Sequence, residues 1–192
     1  MTTNLVIHGE VATAWMIFFL VWVVMAFRVK GTLKRQRARG RAIQVVLGGL
    51  AYILLFTDTF AWGSLALRLV PAQPWWKIPG VALTYTGIAF TIWARIVLGG
   101  NWSSDVTLKK GHSLVRSGPY ALVRHPIYSG LLLAMLGTAL VVAEMHAFLG
   151  VAAACLAWRL KFREEERFMT EQFGLEYEEY RRCTPALVPF IL

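Results

Sequence analysis

The chain has 192 residues, of which 57% are hydrophobic and only 16% are charged. Soluble domains lie near ~45–50% apolar and ~25% charged, so this composition excludes a disordered or collagen-like chain and argues against a soluble globular domain. The formal charge is +9, from 20 Lys and Arg against 11 Asp and Glu, and two cysteines are too few for a disulfide framework.

The apolar residues are bunched into runs. A helix needs ~20 mostly apolar residues, with a range of about 17–25, to cross ~30 Å of hydrocarbon. Residues 11–27 carry no charge between Glu10 and Arg28, and the run is too long and too rich in Trp for a signal-peptide core. Residues 42–67 are interrupted only by Asp58, for which a structural hydrogen bond within the bundle is expected ahead of a role toward substrate. Residues 78–94 lie between Lys77 and Arg95. Residues 126–143 and 145–158 read as a tight helical hairpin, whose second arm is short and calls for an extension into 160–162, snorkelling by Arg159 or a partial crossing. Cys155, inside that arm, reads as a small packing residue. The runs are expected to be helices, because open strand edges are not tolerated in lipid. The fold class expected is all-α, a polytopic membrane protein of about five spans forming one domain over 1–192: three N-terminal spans in 1–94 and a second half in 95–192.

Charge predicts the orientation. Seven basic residues lie in 28–41, five in 95–124 and six in 159–182, so 18 of the 20 fall in three segments on one face. The positive-inside rule makes that face cytoplasmic, with the N-terminus outside and the C-terminus inside. Arg68 and Lys77 flank an outer loop in which Trp75 and Trp76 suit the interfacial belt. The basic segments suit anionic lipid, and no nucleic-acid partner is expected, since no soluble platform adjoins them. The four histidines fall on different segments, so no metal site is expected.

The polar residues that suggest chemistry gather at 99–128, a long connection of the kind that carries function. It contains Gly111-His112-Ser113-Leu114-Val115, Gly118-Pro119-Tyr120 and Arg124-His125-Pro126-Ile127-Tyr128. Pro126 suits the first turn of a helix, which places His125 at a helix N-terminus that favours an anionic group. A plain alternative is that these His and Tyr residues close the bundle at the interface. A second polar segment follows the hairpin. From Phe162 a helical period passes between Glu165 and Glu166 to Met169, Phe173, Tyr177 and Tyr180, an aromatic stripe with acids at its membrane end.

Taken together, His112-Ser-Leu-Val115, Gly118-Pro-Tyr120, Arg124-His-Pro-Ile-Tyr128, Glu165-Glu166, Phe173-Gly174, Tyr177, Tyr180, Pro185 and Leu187-Val-Pro-Phe190 resemble the isoprenylcysteine carboxyl methyltransferase family, itself related to the membrane phospholipid N-methyltransferases. The likeness covers about residues 95–192. It implies a five-span enzyme using S-adenosylmethionine, in a cytosolic pocket closed by the long loop and the C-terminal amphipathic helix. His112, Ser113, Leu114, Val115, Tyr120, His125, Pro126, Ile127, Tyr128 and Glu165 fall on cofactor-contacting positions, and Asp105 aligns with a further polar contact. The family's substrate-contacting Arg lies four residues before the Glu matched by Glu165. Here that slot is Lys161, with Arg163 two residues nearer.

A carboxylate acceptor would need only a cation to orient it, from Arg163 or Lys161, whereas an amine acceptor would need a base such as Glu166. The partners expected are a lipophilic or amphiphilic methyl acceptor and membrane lipids, and a compact chain suits the cytoplasmic membrane of a prokaryote. The favoured reaction is carboxyl methylation; the alternatives are N-methylation of a phospholipid, S-methylation of a small thiol, or a small transporter or structural subunit. Against transport, the polar residues sit at one face and no broken-helix repeat appears.

Overall fold

The computed structural model describes residues 9–26, 32–35, 38–71, 74–102, 107–109 and 113–189. The apolar runs satisfy their backbones as helices: α1 (Gly9–Ala26), α2 (Ala38–Phe56) and α3 (Lys77–Leu98) come first. A single turn, α4 (Pro119–Leu122), precedes α5 (Pro126–Val142), α6 (Met145–Phe173) and α7 (Leu175–Cys183). Three helices, including α1, α6 and α3 with its following turn, are long and apolar enough to cross a membrane; α2 from Gly40, and α5, are shorter apolar helices. This is the all-α membrane protein that composition predicts. A short antiparallel pair, β1 (Thr32–Arg35) with β2 (Thr107–Lys109), adds what hydropathy does not register: it ties the first connection to the long one.

Helices in lipid gain little from burying apolar surface against each other, so they approach through small residues. α3 and α5 run antiparallel in this way. A Cβ on Gly87 would stand 2.4 Å from the Gly130 carbonyl and the Ala134 nitrogen, and one on Gly137 would meet Gly80 and Thr84 at 2.5 Å. Thr84 Oγ1 donates to the Gly80 carbonyl at 2.9 Å, which hides its hydroxyl at that contact. α1 joins through Trp15, whose Nε1 donates to Thr138 Oγ1 at 3.0 Å. α2 packs on α6 where Gly150 meets the Ala51 carbonyl and His146 Nδ1 lies 2.6 Å from the Leu54 carbonyl.

The second run departs from expectation. Helix α2 stops at Phe56, where Thr57 turns extended (φ −134°) and its hydroxyl accepts from Thr59 N. The rest of the run forms 3-10 turns at Asp58–Phe60 and Gly63–Ala66, then pairs with the hairpin bend through Leu69 N to Ala143 O (2.8 Å) and Met145 N to Leu67 O (2.9 Å). Asp58 is therefore exposed on a turn rather than bonded inside a span. Cys155 is exposed on the outer face of α6 and is not a packing residue. The fifth run takes the expected extension past 160–162: α6 continues for 29 residues, about 43 Å, from the hairpin through the acidic segment. The aromatic stripe is split at Gly174, whose φ of 53° ends α6 and starts α7.

Candidate functional site

The polar ends of α3, α5 and α6 meet the linker and α7. Gly99 (φ 57°) closes α3 and begins the turn Gly99–Asn101, which presents Asn101 and Trp102. Residues 113–117 run toward Gly118 (φ 60°), a backbone state that suits Gly, and α4 then buries Pro119 and Tyr120. Val123 is extended and Pro126 starts α5, so Arg124 and His125 occupy a short link between two helices. Their backbone nitrogens donate to the carbonyls of Pro185 (2.8 Å) and Ala186 (3.0 Å), and Ser129 Oγ donates to Leu187 O at 2.6 Å. The segment after α7 is thus strapped to the start of α5. Tyr180 reinforces this closure by donating to the Tyr120 carbonyl at 2.6 Å.

Glu165 and Glu166 are held by the residues that precede and open α5. Arg124 Nε lies 2.8 Å from Glu166 Oε1, and the Arg124 guanidinium also donates to the carbonyls of Arg181 and Thr184. His125 stands between the two acids, with Nε2 3.1 Å from Glu166 and Nδ1 3.6 Å from Glu165. Tyr128 Oη donates to Glu165 Oε1 at 2.6 Å. Four rings form one pile: Phe162 stacks on His125, His125 on Tyr128, and Tyr128 on Trp158. Lys161 Nζ lies 5.6 Å from the centre of the Tyr128 ring.

Burial, and then the nearby Glu165 charge, push the Tyr120 phenol far above its ordinary range. Burial raises Tyr177 likewise, with Glu166 adding to it. Tyr180 is pushed up to about 12, chiefly by burial and partly offset by Arg124 and Arg116. These phenols remain neutral at physiological pH.

Between the elements lies a cavity of about 430 Å³, within the ~300–1,000 Å³ range of small-molecule sites. Ser113, Leu114, Val115, Tyr120, His125, Pro126, Ile127, Tyr128, Lys161 and Glu165 all line it. Glu166 stands behind it, paired with Arg124 and His125. Arg163 is exposed on α6 and does not line it, which leaves Lys161 and Arg124 as the long cationic side chains on its wall. Asp105 and His112 lie outside the described residues. His125 is the N-cap of α5 as its spacing predicts, but its ring nitrogens face carboxylates and its backbone N–H serves the strap.

The cavity also takes Asn101 and Trp102 from the polar connection and Met169 from the aromatic stripe, and with them residues whose sequence marks them only as parts of spans: Phe18 and Trp22 of α1, Leu98 and Trp158. Phe18 and Trp22 are four apart on one helix face, their rings tilted by 35° and 4.6 Å centre to centre. That spacing was a readable signal of a shared surface, but not of what it faces.

A family model described as phospholipid methyltransferase matches residues 75–176, more than half of the chain. Among curated relatives, a human protein-S-isoprenylcysteine O-methyltransferase is 33% identical over 122 residues, covering 61% of this chain and 42% of that protein. An Arabidopsis thaliana protein-S-isoprenylcysteine O-methyltransferase B is 30% identical over 125 residues, covering 62% of each. The cobalt-zinc-cadmium resistance protein CzcN of Cupriavidus metallidurans is 35% identical over 114 residues, covering 57% of this chain and 46% of that protein. The chain thus spans about half the length of the curated relatives it matches.

Proposed function

Because the chain belongs to the phospholipid methyltransferase family, we propose that it is a membrane methyltransferase that uses S-adenosylmethionine to methylate the carboxylate of a lipophilic, isoprenylcysteine-like acceptor. The observation that carries this reading is the placement of Glu165, Tyr128 and Lys161 on one cavity between an apolar aromatic wall and the strapped linker. The donor set fits the cofactor. The Glu165 carboxylate suits an ammonium or ribose hydroxyls, Trp158 at the end of the ring pile suits a cation or an adenine plane, and the volume suits a molecule of this size.

When bound, S-adenosylmethionine supplies an electrophilic methyl group on a positively charged sulfur. The protein has little covalent work to do. Tyr128 fixes the Glu165 carboxylate by donating to it, and Arg124 and His125 hold Glu166 behind it. Lys161 supplies a positive charge to orient an anionic acceptor, which needs no base. The ring pile and the strap exclude water from the reacting groups. An acceptor amine would instead require proton removal, and the His125–Glu166 pair is the group within the site that could receive it; the description of the matching family model favours keeping this second reading.

The orientation we propose puts the C-terminal end in the cytosol of a prokaryotic cell. Arg95, Arg116, Arg124, Arg159, Arg163, Arg181 and Arg182 stand toward the site end of the bundle, whereas Lys77 pairs with Glu10 at the other end. A bacterial relative at 35% identity is in keeping with the host.

The test is calorimetry of the detergent-solubilised protein with S-adenosylhomocysteine, followed by incubation of membranes with methyl-labelled S-adenosylmethionine. Binding in the micromolar range and base-labile label released as methanol are expected. Base-stable label in lipid would establish the amine reading, and a folded protein that gives no heat would overturn both.

A further inference from the structure

Arg95 lies in the last turn of α3 and is only 1% exposed. No acid pairs with it among the described residues. Its Nη1 donates to Gly99 O at 2.7 Å and its Nη2 to Met25 O at 2.9 Å. The guanidinium carbon stands 4.5 Å from the centre of the Trp102 ring and 5.9 Å from that of Trp22. Burying a guanidinium among carbonyls and ring faces is expensive without compensation, and the lining of a helix packing contact alone would be made more cheaply by an apolar side chain. The two carbonyls, however, belong to the C-terminal ends of α1 and α3, where backbone dipoles favour a cation. A planar fork can reach both ends and stack on an indole at the same time, which a single ammonium cannot.

The consequences converge on the cavity. Gly99 is the first residue of the turn that carries Asn101 and Trp102, and both line the cavity. Asn101 Nδ2 reaches Ser113 O at 3.3 Å and Ser113 Oγ at 3.2 Å, so the same turn places the linker. Trp22 lines the cavity from α1 and meets Trp102 edge to face at 5.6 Å. We propose that Arg95 is a positioning residue for the methyl-donor site: it joins the ends of α1 and α3 and holds Trp102 in the cavity wall, and so sets the affinity for the donor. Arg95 does not itself line the cavity. This inference rests on the donor reading above.

The experiment is a double-mutant cycle on the binding of S-adenosylhomocysteine, measured by calorimetry in detergent with Arg95→Gln, Trp102→Leu and the combined variant. Each single change is expected to weaken binding at least tenfold, and the pair to be no more than about threefold worse than the worse single. A merely structural Arg95 would give effects that multiply, and that result would overturn the proposal. So would binding within twofold of wild type for Arg95→Gln. Should Arg95→Gln fail to fold, Arg95→Lys decides: a loss of threefold or more is expected, and affinity within twofold of wild type refutes the role. Wild-type protein that binds nothing removes the donor reading and this proposal together, whereas wild-type binding with indifferent Arg95 variants removes this proposal alone.

Discussion

Successive residues on a helix point about 100° apart, and that rotation divides Glu165 from Glu166. Glu165 faces the cavity and takes the Tyr128 hydroxyl, while Glu166 turns back to Arg124 and His125. The two should therefore fail differently. Glu165→Gln is expected to weaken S-adenosylhomocysteine binding about tenfold or more, through loss of a charge-assisted contact, with little change in melting temperature. Glu166→Gln leaves Arg124 without its anion and His125 with Glu165 alone, and is expected to cost about 2–3 kcal/mol of stability, seen as a lower melting temperature in detergent. Equal effects of both changes on binding would contradict this division. Tyr180 offers a test by pH. Its phenol titrates at about 12 in the fold against ~10 in an unfolded chain. A raised folded value gives stability that is complete below pH 10 and is lost as pH climbs toward 12. The stability gap between wild type and Tyr180→Phe should accordingly narrow across that window; a constant gap would show that the phenol is not held neutral by the fold.

Among the elements, the α3–α5 contact has the least tolerance. The atoms nearest a Cβ on Gly87 are backbone atoms of α5, which cannot rotate away. Gly87→Ala is expected to destabilise by about 2–3 kcal/mol or more, whereas Gly48→Ala, with nothing within 4 Å of its Cβ, should be neutral or stabilising by about 0.5–1 kcal/mol; unfolding by denaturing detergent compares them. Hydropathy locates these helices well, since α1, α3 and α5 lie within a few residues of their apolar runs. It fails where an apolar run and a helix are different things. Residues 57–67 carry no charge but Asp58, yet the Thr57 cap ends α2 and the chain continues as turns against the hairpin bend. It fails again at Gly174, where a helical period continues on paper through a residue that reverses the backbone. The linker and α6 motifs were legible as the ingredients of a site. Arg95 was legible only as the edge of a span, because its task depends on Met25 and Trp22, some 70 residues away in the chain.

Across the whole molecule, the cavity is assembled from α1, the turn after α3, the linker, α5, α6 and α7. Its sidedness can be measured. Cys183 is exposed at the end of α7, so a membrane-impermeant maleimide should label it in inverted vesicles and not in right-side-out ones. The opposite pattern would reverse the proposed orientation. The strap has a consequence for biogenesis. Pro185, Ala186 and Leu187 supply the carbonyls that hold Arg124, His125 and Ser129, so every helix can be inserted while the chamber is still unlatched. These residues must reach back some sixty positions along the chain to Arg124, His125 and Ser129 before the wall of the chamber is latched.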